Sequence, residues 1–478
     1  MKFRFVIFIT FLIYSGLFSQ CRTGLKISVE DSVRVKRPVV SSSMVLAEDL
    51  MIWSIDRYIK KAEFSYISFN TIKRNLKTGF VYDNDCMQTN MFDHPFHGGM
   101  NYNIARSAGF NYWQSLPFNV GGSLVWELFL ENEPPSLPDL ISSSIGGLLM
   151  GEVTYRLSSG IYLNQSHLLK RTGVELGSFV LNPSRTLIRI ILGNNISQKK
   201  IKFEEAIPLE VNAALGFSIF MENSNERISQ LYPVFYTNIK YNQPFNHAKY
   251  KPFDFFNVNV AINLSNRQPL LKKLIIEGVV WGKNKYYGDK ISLMYGVFQQ
   301  YDYYDSNFTN VNENIIPYKF AFPASFGAGT ILHFNNKKSS TKLSTELYMN
   351  FIMIGSSFTP NYLEKYRNYN FGYGYSQKFY LRIINEKIGS FNLGLKYFNL
   401  ITEDKDSNQN EDLDDFEIEG DDGDIDNIVF NTEIELYLTR KTSLSFCFDY
   451  FYRNIDSIYK QDSKSSMMEL NVGGIFYF

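Results

Sequence analysis

The sequence predicts a mainly β, α+β protein: a transmembrane antiparallel β-barrel of about twelve strands, preceded by an N-terminal helical plug or cap domain. Three observations predict it. From about Lys200 onward, apolar residues recur at every second position over stretches of roughly 10–16 residues, longer than the ~5–6 usual in globular sheets. Behind a leader-like N-terminus, no segment reads as an unbroken apolar membrane helix. The chain ends on an aromatic residue, Phe478, that closes one of the alternating stretches.

Composition narrows the class. The 478 residues include 41 Phe, 32 Tyr and 4 Trp, an aromatic share of 16%. Aromatic residues favour strands and membrane–water interfaces. Lys+Arg and Asp+Glu both number 48, so the net charge is zero and no nucleic-acid partner is expected. Three cysteines are too few for a disulfide scaffold.

The first 20 residues read as a signal peptide. Lys2 and Arg4 form a basic start, and residues 5–18 carry no charge. That run is too short to span ~30 Å of hydrocarbon but suits a secretory leader. Cys21 is the one candidate for lipidation, although Gln20 is a poor match for the small residue that such signals carry. The best later helix candidate, 112–130, is interrupted by Gln114, Pro117, Asn119 and Glu127. An exported chain without a spanning helix crosses a bilayer only as a closed barrel, because lipid satisfies no open sheet edge.

Twelve strands are expected, at 201–220, 228–243, 253–266, 271–283, 289–304, 315–334, 341–355, 369–385, 388–402, 426–440, 442–455 and 465–478. In one, Leu444, Phe446, Phe448, Tyr450 and Tyr452 alternate with Ser443, Ser445, Cys447, Asp449 and Phe451. Apolar faces are expected against outer-membrane lipids and polar faces toward the lumen. The last strand, ending at Phe478, is similar to the C-terminal signal that the barrel assembly machinery reads.

Residues 403–426 hold thirteen Asp/Glu and one Lys, and are expected to form a solvated loop between strands nine and ten. Strand parity and length place this loop outside the cell. Asp422, Asp424, Asp426 and Glu433 match four calcium-loop positions. Asn427 stands where that loop needs Gly, so a plain charged loop is the preferred reading.

The first half differs. Residues 43–61 place Leu46, Leu50, Trp53, Ile55 and Tyr58 at helical spacing. Three further helices are expected at 98–109, 112–131 and 137–157, the last with Ser136 as N-cap and Asp139 in the capping-box position. The expected division is 1–20 signal peptide, 21–195 helical plug or cap, and 196–478 barrel.

A dense block of spaced residues runs through this half. It reads Asp93-His94-Pro95-Phe96-His97-Gly98-Gly99, Ala105-Arg106, Trp126-Glu127, Pro135-Ser136, Asp139, Gly146-Gly147, Gly151-Glu152 and Arg156. This progression resembles an uncharacterised bacterial family, domain-of-unknown-function family 3943, over about residues 75–195. Cys86 and Thr186 depart from the pattern in its turns. The resemblance implies an outer-membrane address in a Gram-negative-type bacterium and no established reaction.

The candidate polar cluster is His94, His97, Arg106, Glu127, Asp139, Glu152 and Arg156. His94 and His97, three apart, would share a helix face, and two His with a carboxylate make a metal set. Pro95 between them points instead to a loop or first turn. The preferred reading is that the charges pair with one another and with lumen residues such as Asp449 and Arg453. Neither HExxH nor GxSxG nor a Gly-rich phosphate loop occurs, so no metal and no cofactor is expected. His94 and Ser115 are the one pair worth testing for acyl transfer. Cys86 and Cys447 are read as free thiols in preference to a disulfide. The leading function is structural or transport-related, a plugged barrel that passes or binds a small solute or lipid. The alternatives are a lipid-modifying enzyme using His94, His97 and nearby carboxylates, and a surface adhesin.

Overall fold

The computed structural model describes residues 36–83, 85–163, 177–191, 209–222, 228–306, 318–334, 339–359, 369–402, 423–458 and 461–477. The expected signal peptide (1–20), Cys21, most of the acidic segment (403–422) and Phe478 lie outside the described residues. The chain divides into two compact units, one helical and one built of strands.

The strand unit is a closed antiparallel barrel of twelve long strands. They are β1 (Leu209–Glu222), β2 (Ile228–Tyr241), β4 (Phe256–Asn263), β5 (Leu271–Tyr287), β6 (Ile291–Asp305), β7 (Lys319–Phe334), β8 (Thr341–Phe358), β9 (Tyr369–Asn385), β10 (Gly389–Thr402), β11 (Gly423–Tyr437), β12 (Thr442–Ser457) and β13 (Ser463–Tyr477). Each pairs with the next, and β1 closes the ring on β13. The sequence periodicity missed one element. The short strand β3 (Lys249–Tyr250) pairs with Lys283 and Gly282 of β5, while β4 covers the other half of β5. Strands β3 and β4 are therefore two halves of one stave, broken where Phe253 takes a positive φ of 58°. β11 starts at Gly423, so Asp424 and Asp426 sit in the strand and not in a loop. Asp426 accepts from Tyr397 (2.7 Å) and Asn399 (3.0 Å), which excludes the calcium-loop geometry.

The alternation holds. Phe217, Met349, Phe351, Ile434, Leu436, Phe446, Val472 and Phe476 are exposed on the outer wall, while Glu435, Asp449, Glu469 and Asn471 are buried on the inner one. An apolar exterior around a polar interior is the inverse of a soluble sandwich and the arrangement a bilayer requires.

The helical unit contains α1 (Pro38–Ile55), α2 (Phe69–Thr78), α3 (His94–Ser107), α4 (Tyr112–Val125), α5 (Leu137–Ile141), α6 (Gly147–Leu163) and α7 (Pro183–Ile191). Wider π-helical turns extend α1 through Asp56–Lys60 and α4 through Trp126–Leu130, precede α3 at Thr89–Asp93, and join α5 to α6 at Ser142–Gly146. The expected helices are present with shifted ends; α3 begins four residues earlier than expected, at His94. Pro95 sits in its first turn, where a missing N–H costs little. α3 and α6 approach backbone to backbone. A Cβ on Gly147 would lie 2.7 Å from the Gly98 carbonyl carbon, and one on Gly98 would overlap the Ser143 carbonyl oxygen.

The apolar stripe of α1 does not face the core: Leu46, Leu50, Ile55 and Tyr58 are exposed, while Ser41, Glu48 and Asp49 are buried. The stretch Pro38–Lys60, 23 residues, is also long and apolar enough to cross a membrane by length and composition, which the sequence reading passed over. Its inward face is polar because the unit's interior is polar. Asn75, Asn101, Asn119, Glu127, Asp139 and Glu152 are all buried there. Buried polar groups need partners, and that need, stronger than burial of a few leucines, sets the helix's rotation.

Candidate functional site

The predicted polar residues separate into three groups inside the helical unit. Two of them are paired. Arg106 donates from Nε to Glu152 Oε2 (2.7 Å) and from Nη2 to Oε1 (3.1 Å). Arg156 donates to Oε1 (2.8 Å) and Tyr102 to Oε2 (2.7 Å). Here the expected pairing among charges is what the structure shows. Burial works against ionising Glu152, but the two guanidinium groups outweigh it and hold its pKa below the ordinary carboxylate range.

His97 belongs to a second group. Its Nε2 lies 2.8 Å from Asp49 Oδ1, and Asn101 donates to the same oxygen (3.1 Å). Its ring meets Trp126 edge-on at 4.7 Å between centroids. Next to Asp49, Glu48 accepts from the Ser184 hydroxyl (2.7 Å). Burial pushes Glu48 up to about 7, against the lowering effect of that hydrogen bond. The sequence offered no sign of Glu48 or Asp49, because both sit in an apolar helix whose stripe pointed the other way.

The third group is His94, Glu127 and Asp139, all buried. One donor atom from each lies within 4.8 Å of the other two. His94 starts α3, Glu127 lies in the π turn that ends α4, and Asp139 is in the first turn of α5. His94 Nε2 is 3.7 Å from Asp139 Oδ2. Glu127 Oε2 accepts the Ser136 backbone N–H (2.8 Å), but Glu127 Oε1 and Asp139 Oδ1 have no hydrogen-bond partner. The sequence reading grouped His94 with His97; the structure turns the two rings to different carboxylates.

The electrostatics of this third group are unusual. Burial lowers the His94 pKa to about 3, with a lesser push from His97, so the imidazole is neutral. Burial pushes Glu127 up to about 8, with Asp83, Asp85 and Glu133 adding to it, and raises Asp139 well above the carboxylate range. Asp85 rises to about 7 for the same reasons, burial first and then Asp83. Around the three lies a fixed shell. Ser136 Oγ caps the Asp139 N–H (3.3 Å) and donates to Asp83 Oδ1 (3.1 Å), and Asn90 donates to both Asp83 oxygens (3.0 and 3.1 Å). The backbones of Val81 and Leu137 lock the 79–83 strip against this turn (2.9 Å). Chemically, one neutral imidazole and two carboxyl groups that each keep one unpartnered oxygen are a cation-binding donor set.

Ser115 donates to the Asn111 carbonyl in its own helix (2.9 Å), and no hydrogen bond joins it to His94. Acyl transfer by that pair therefore has no geometric support. Cys86 and Cys447 are free thiols.

The barrel has a site of its own. At the end where the longer connections leave, aromatic side chains from strands that are not neighbours meet across the lumen. Tyr318 stacks on Phe451 (centroids 3.9 Å), Phe322 on Phe398 (4.4 Å), and Phe220 meets Tyr318 edge-on (5.9 Å). They belong to one buried cluster with Val234, Ile352, Leu400, Ile425 and Ile455. Beneath it the lumen is bridged by polar pairs. Lys272 binds Glu469, Lys378 donates to Asp302 (2.6 Å), Lys396 to the Tyr304 hydroxyl (2.8 Å), and Tyr380 to Glu277 (2.8 Å). A cavity of about 320 Å³ remains, lined from around the ring by five Lys/Arg and six Asp/Glu.

Residues 79–184 match the family described as Domain of unknown function (DUF3943), so the resemblance read from the sequence is borne out over that stretch. No curated protein matches the chain. Solved structures similar to it include a NanC porin, 8% identical, covering 55% of this chain and 98% of that one with a TM-score of 0.28. OmpT, an outer membrane protein of Vibrio cholerae, is 7% identical, covering 57% and 100% with a TM-score of 0.24. An anion-selective porin from Comamonas acidovorans is 8% identical, covering 57% and 100% with a TM-score of 0.22. At such scores the likeness carries no argument about what this chain binds or transports.

Proposed function

We propose that this chain is an outer-membrane barrel that holds a small polar solute or lipid headgroup of no net charge in its lumen and passes it through a gate, not an open pore. The observation that carries this reading is the aromatic cluster around Tyr318 and Phe451, which fills one end of the lumen above a polar cavity. Closure by the barrel's own rings makes a separate plug unnecessary. The charge balance of the cavity lining, five cations against six carboxylates, creates no field of one sign and favours a neutral or zwitterionic occupant. The outer-membrane address is supported by twelve long strands with an apolar outer wall, and by the leader-like first 20 residues. In planar bilayers the purified protein should show no steady conductance, and Phe451→Ala should raise it to discrete openings. Steady ohmic conductance in the unsubstituted protein would overturn the gated reading.

A second reading, a lipid-modifying enzyme, is favoured by the buried His94–Glu127–Asp139 group. Comparing lipid A and phospholipid profiles with and without the protein separates the two. An altered acyl pattern points to the enzyme, and an unchanged one leaves the transport reading.

A further inference from the structure

We propose that His94, Glu127 and Asp139 form a mononuclear divalent-metal site, selective for a transition ion such as Zn²⁺ or Mn²⁺ over Ca²⁺ or Mg²⁺. The inference is independent of the transport reading, since it rests on the helical unit alone.

Geometry comes first. Three donor atoms from three separate elements converge to within 4.8 Å. Ligands of one tetrahedral Zn²⁺ at about 2.0–2.2 Å lie roughly 3.3–3.6 Å apart, so the His94–Asp139 pair at 3.7 Å is already near its bound spacing and the widest separation has to close by about 1–1.5 Å. Two carboxylate oxygens, Glu127 Oε1 and Asp139 Oδ1, are buried with no partner. Glu127 is 1% exposed and Asp139 3%. An unpaired buried carboxylate oxygen is costly, and a bound cation would relieve that cost for both residues. Among the described residues no arginine or lysine satisfies them, in contrast with Glu152 a few turns away, which holds two guanidinium groups.

The donor chemistry sets the ion. A neutral imidazole beside two carboxylates suits Zn²⁺ or Mn²⁺, whereas Ca²⁺ and Mg²⁺ prefer oxygen alone. The second shell is in place. The Ser136 N–H fixes Glu127 Oε2, and Ser136 Oγ links the Asp139 turn to Asp83, itself anchored by Asn90. Such outer hydrogen bonds orient ligands and are part of a built site. Three protein ligands leave a fourth position open for water or a lipid oxygen. The π turns at 89–93, 126–130 and 142–146 adjoin or contain the regions carrying all three ligands, as such bulges often do at functional sites.

The test uses the full chain in detergent, stripped with a chelator and titrated with Zn²⁺, Mn²⁺ and Ca²⁺ by calorimetry. Co²⁺ absorption gives an independent signature of nitrogen and oxygen ligation. One Zn²⁺ or Mn²⁺ per chain is expected, with Ca²⁺ at least 100-fold weaker. Asp139→Asn, Glu127→Gln and His94→Gln should each weaken binding at least 100-fold, while Cys86→Ser, an exposed thiol outside the cluster, should not change it. The melting temperature should rise with Zn²⁺ in the unsubstituted chain and not in the three variants. Because the variants are near-isosteric, their melting in chelator reports folding separately. If one fails to fold, the other two decide. Absence of stoichiometric binding, equal preference for Ca²⁺, or binding that survives in Asp139→Asn and Glu127→Gln would overturn the proposal.

Discussion

Ser136 donates its backbone N–H to Glu127 Oε2 across 2.8 Å, although capping-box spacing assigns that donor to Asp139. The N-cap itself is as expected, with Ser136 Oγ accepting the Asp139 N–H. Diverting the return bond to Glu127 leaves the Asp139 carboxylate free to face His94. Glu127→Ala should therefore orphan a buried N–H and cost about 1–3 kcal/mol of helical-unit stability. Glu127→Gln keeps the acceptor and removes a buried acid, so in chelator it should be neutral or stabilising. Thermal unfolding of the helical signal in detergent checks both. An equal loss in Ala and Gln would mean that the charge, and not the N–H acceptor, is what matters.

Arg106 and Arg156 share one carboxylate, and their loss should be unequal. Arg106→Ala removes two bonds to Glu152 and a contact over the Tyr155 ring at 4.5 Å, and should cost about 3–5 kcal/mol. Arg156→Ala leaves Glu152 with Arg106 and Tyr102, and should cost less. Denaturant midpoints of the two variants, compared at one pH, measure the ordering. Reversal would place the stronger anchor on α6 and not across to α3.

Glu48 should make the helical unit lose stability as pH rises. Its folded pKa of about 7 lies above its unfolded value of 4.5, so the folded state holds the proton more tightly. The stabilisation is complete below 4.5 and lost as pH rises through about 7, amounting to roughly 3 kcal/mol. Glu48→Gln should flatten that part of the pH–stability curve and be more stable than the parent at pH 8. Equal slopes in the two proteins between pH 5 and 8 would show that Glu48 does not carry the effect.

Topology can be read from two described connections. β4 to β5 is an odd-to-even link among the twelve staves and should face outward; β5 to β6 is even-to-odd and should face the periplasm. Arg267→Cys, exposed in the first, should react with an impermeant maleimide on intact cells. Asp289→Cys, in the second, should react only after the outer membrane is opened. The opposite pattern would invert the barrel, and labelling of neither on intact cells would argue against a surface address.

Strand count, closure and the two faces of each strand were legible because a period of two needs no tertiary information. The side-chain alternation of Leu444–Phe451 states which residues meet lipid before any partner strand is known. β3 was not legible. Two residues carry no period, and only the vacant half of β5 calls them into pairing. The orientation of α1 was not legible for a related reason. Helical periodicity names two faces but not which is inward, and here Glu48 and Asp49 were drawn in by His97, Asn101 and Ser184, all distant in sequence.

The sequence by itself determined an alternating twelve-stave barrel, a helical block with its caps, and the residue types His, Glu and Asp that carry chemistry. Tertiary structure alone decided which of them meet. His94 and His97 are three residues apart, yet one faces Asp139 and the other Asp49, because each ring follows the carboxylate that a different helix brings to it. It also decided that rings from opposite walls meet inside the barrel, since stacking of Tyr318 on Phe451 depends on ring closure bringing those walls together. Local pattern fixes faces along a chain; contacts across a lumen or between helices depend on distances that no local pattern contains.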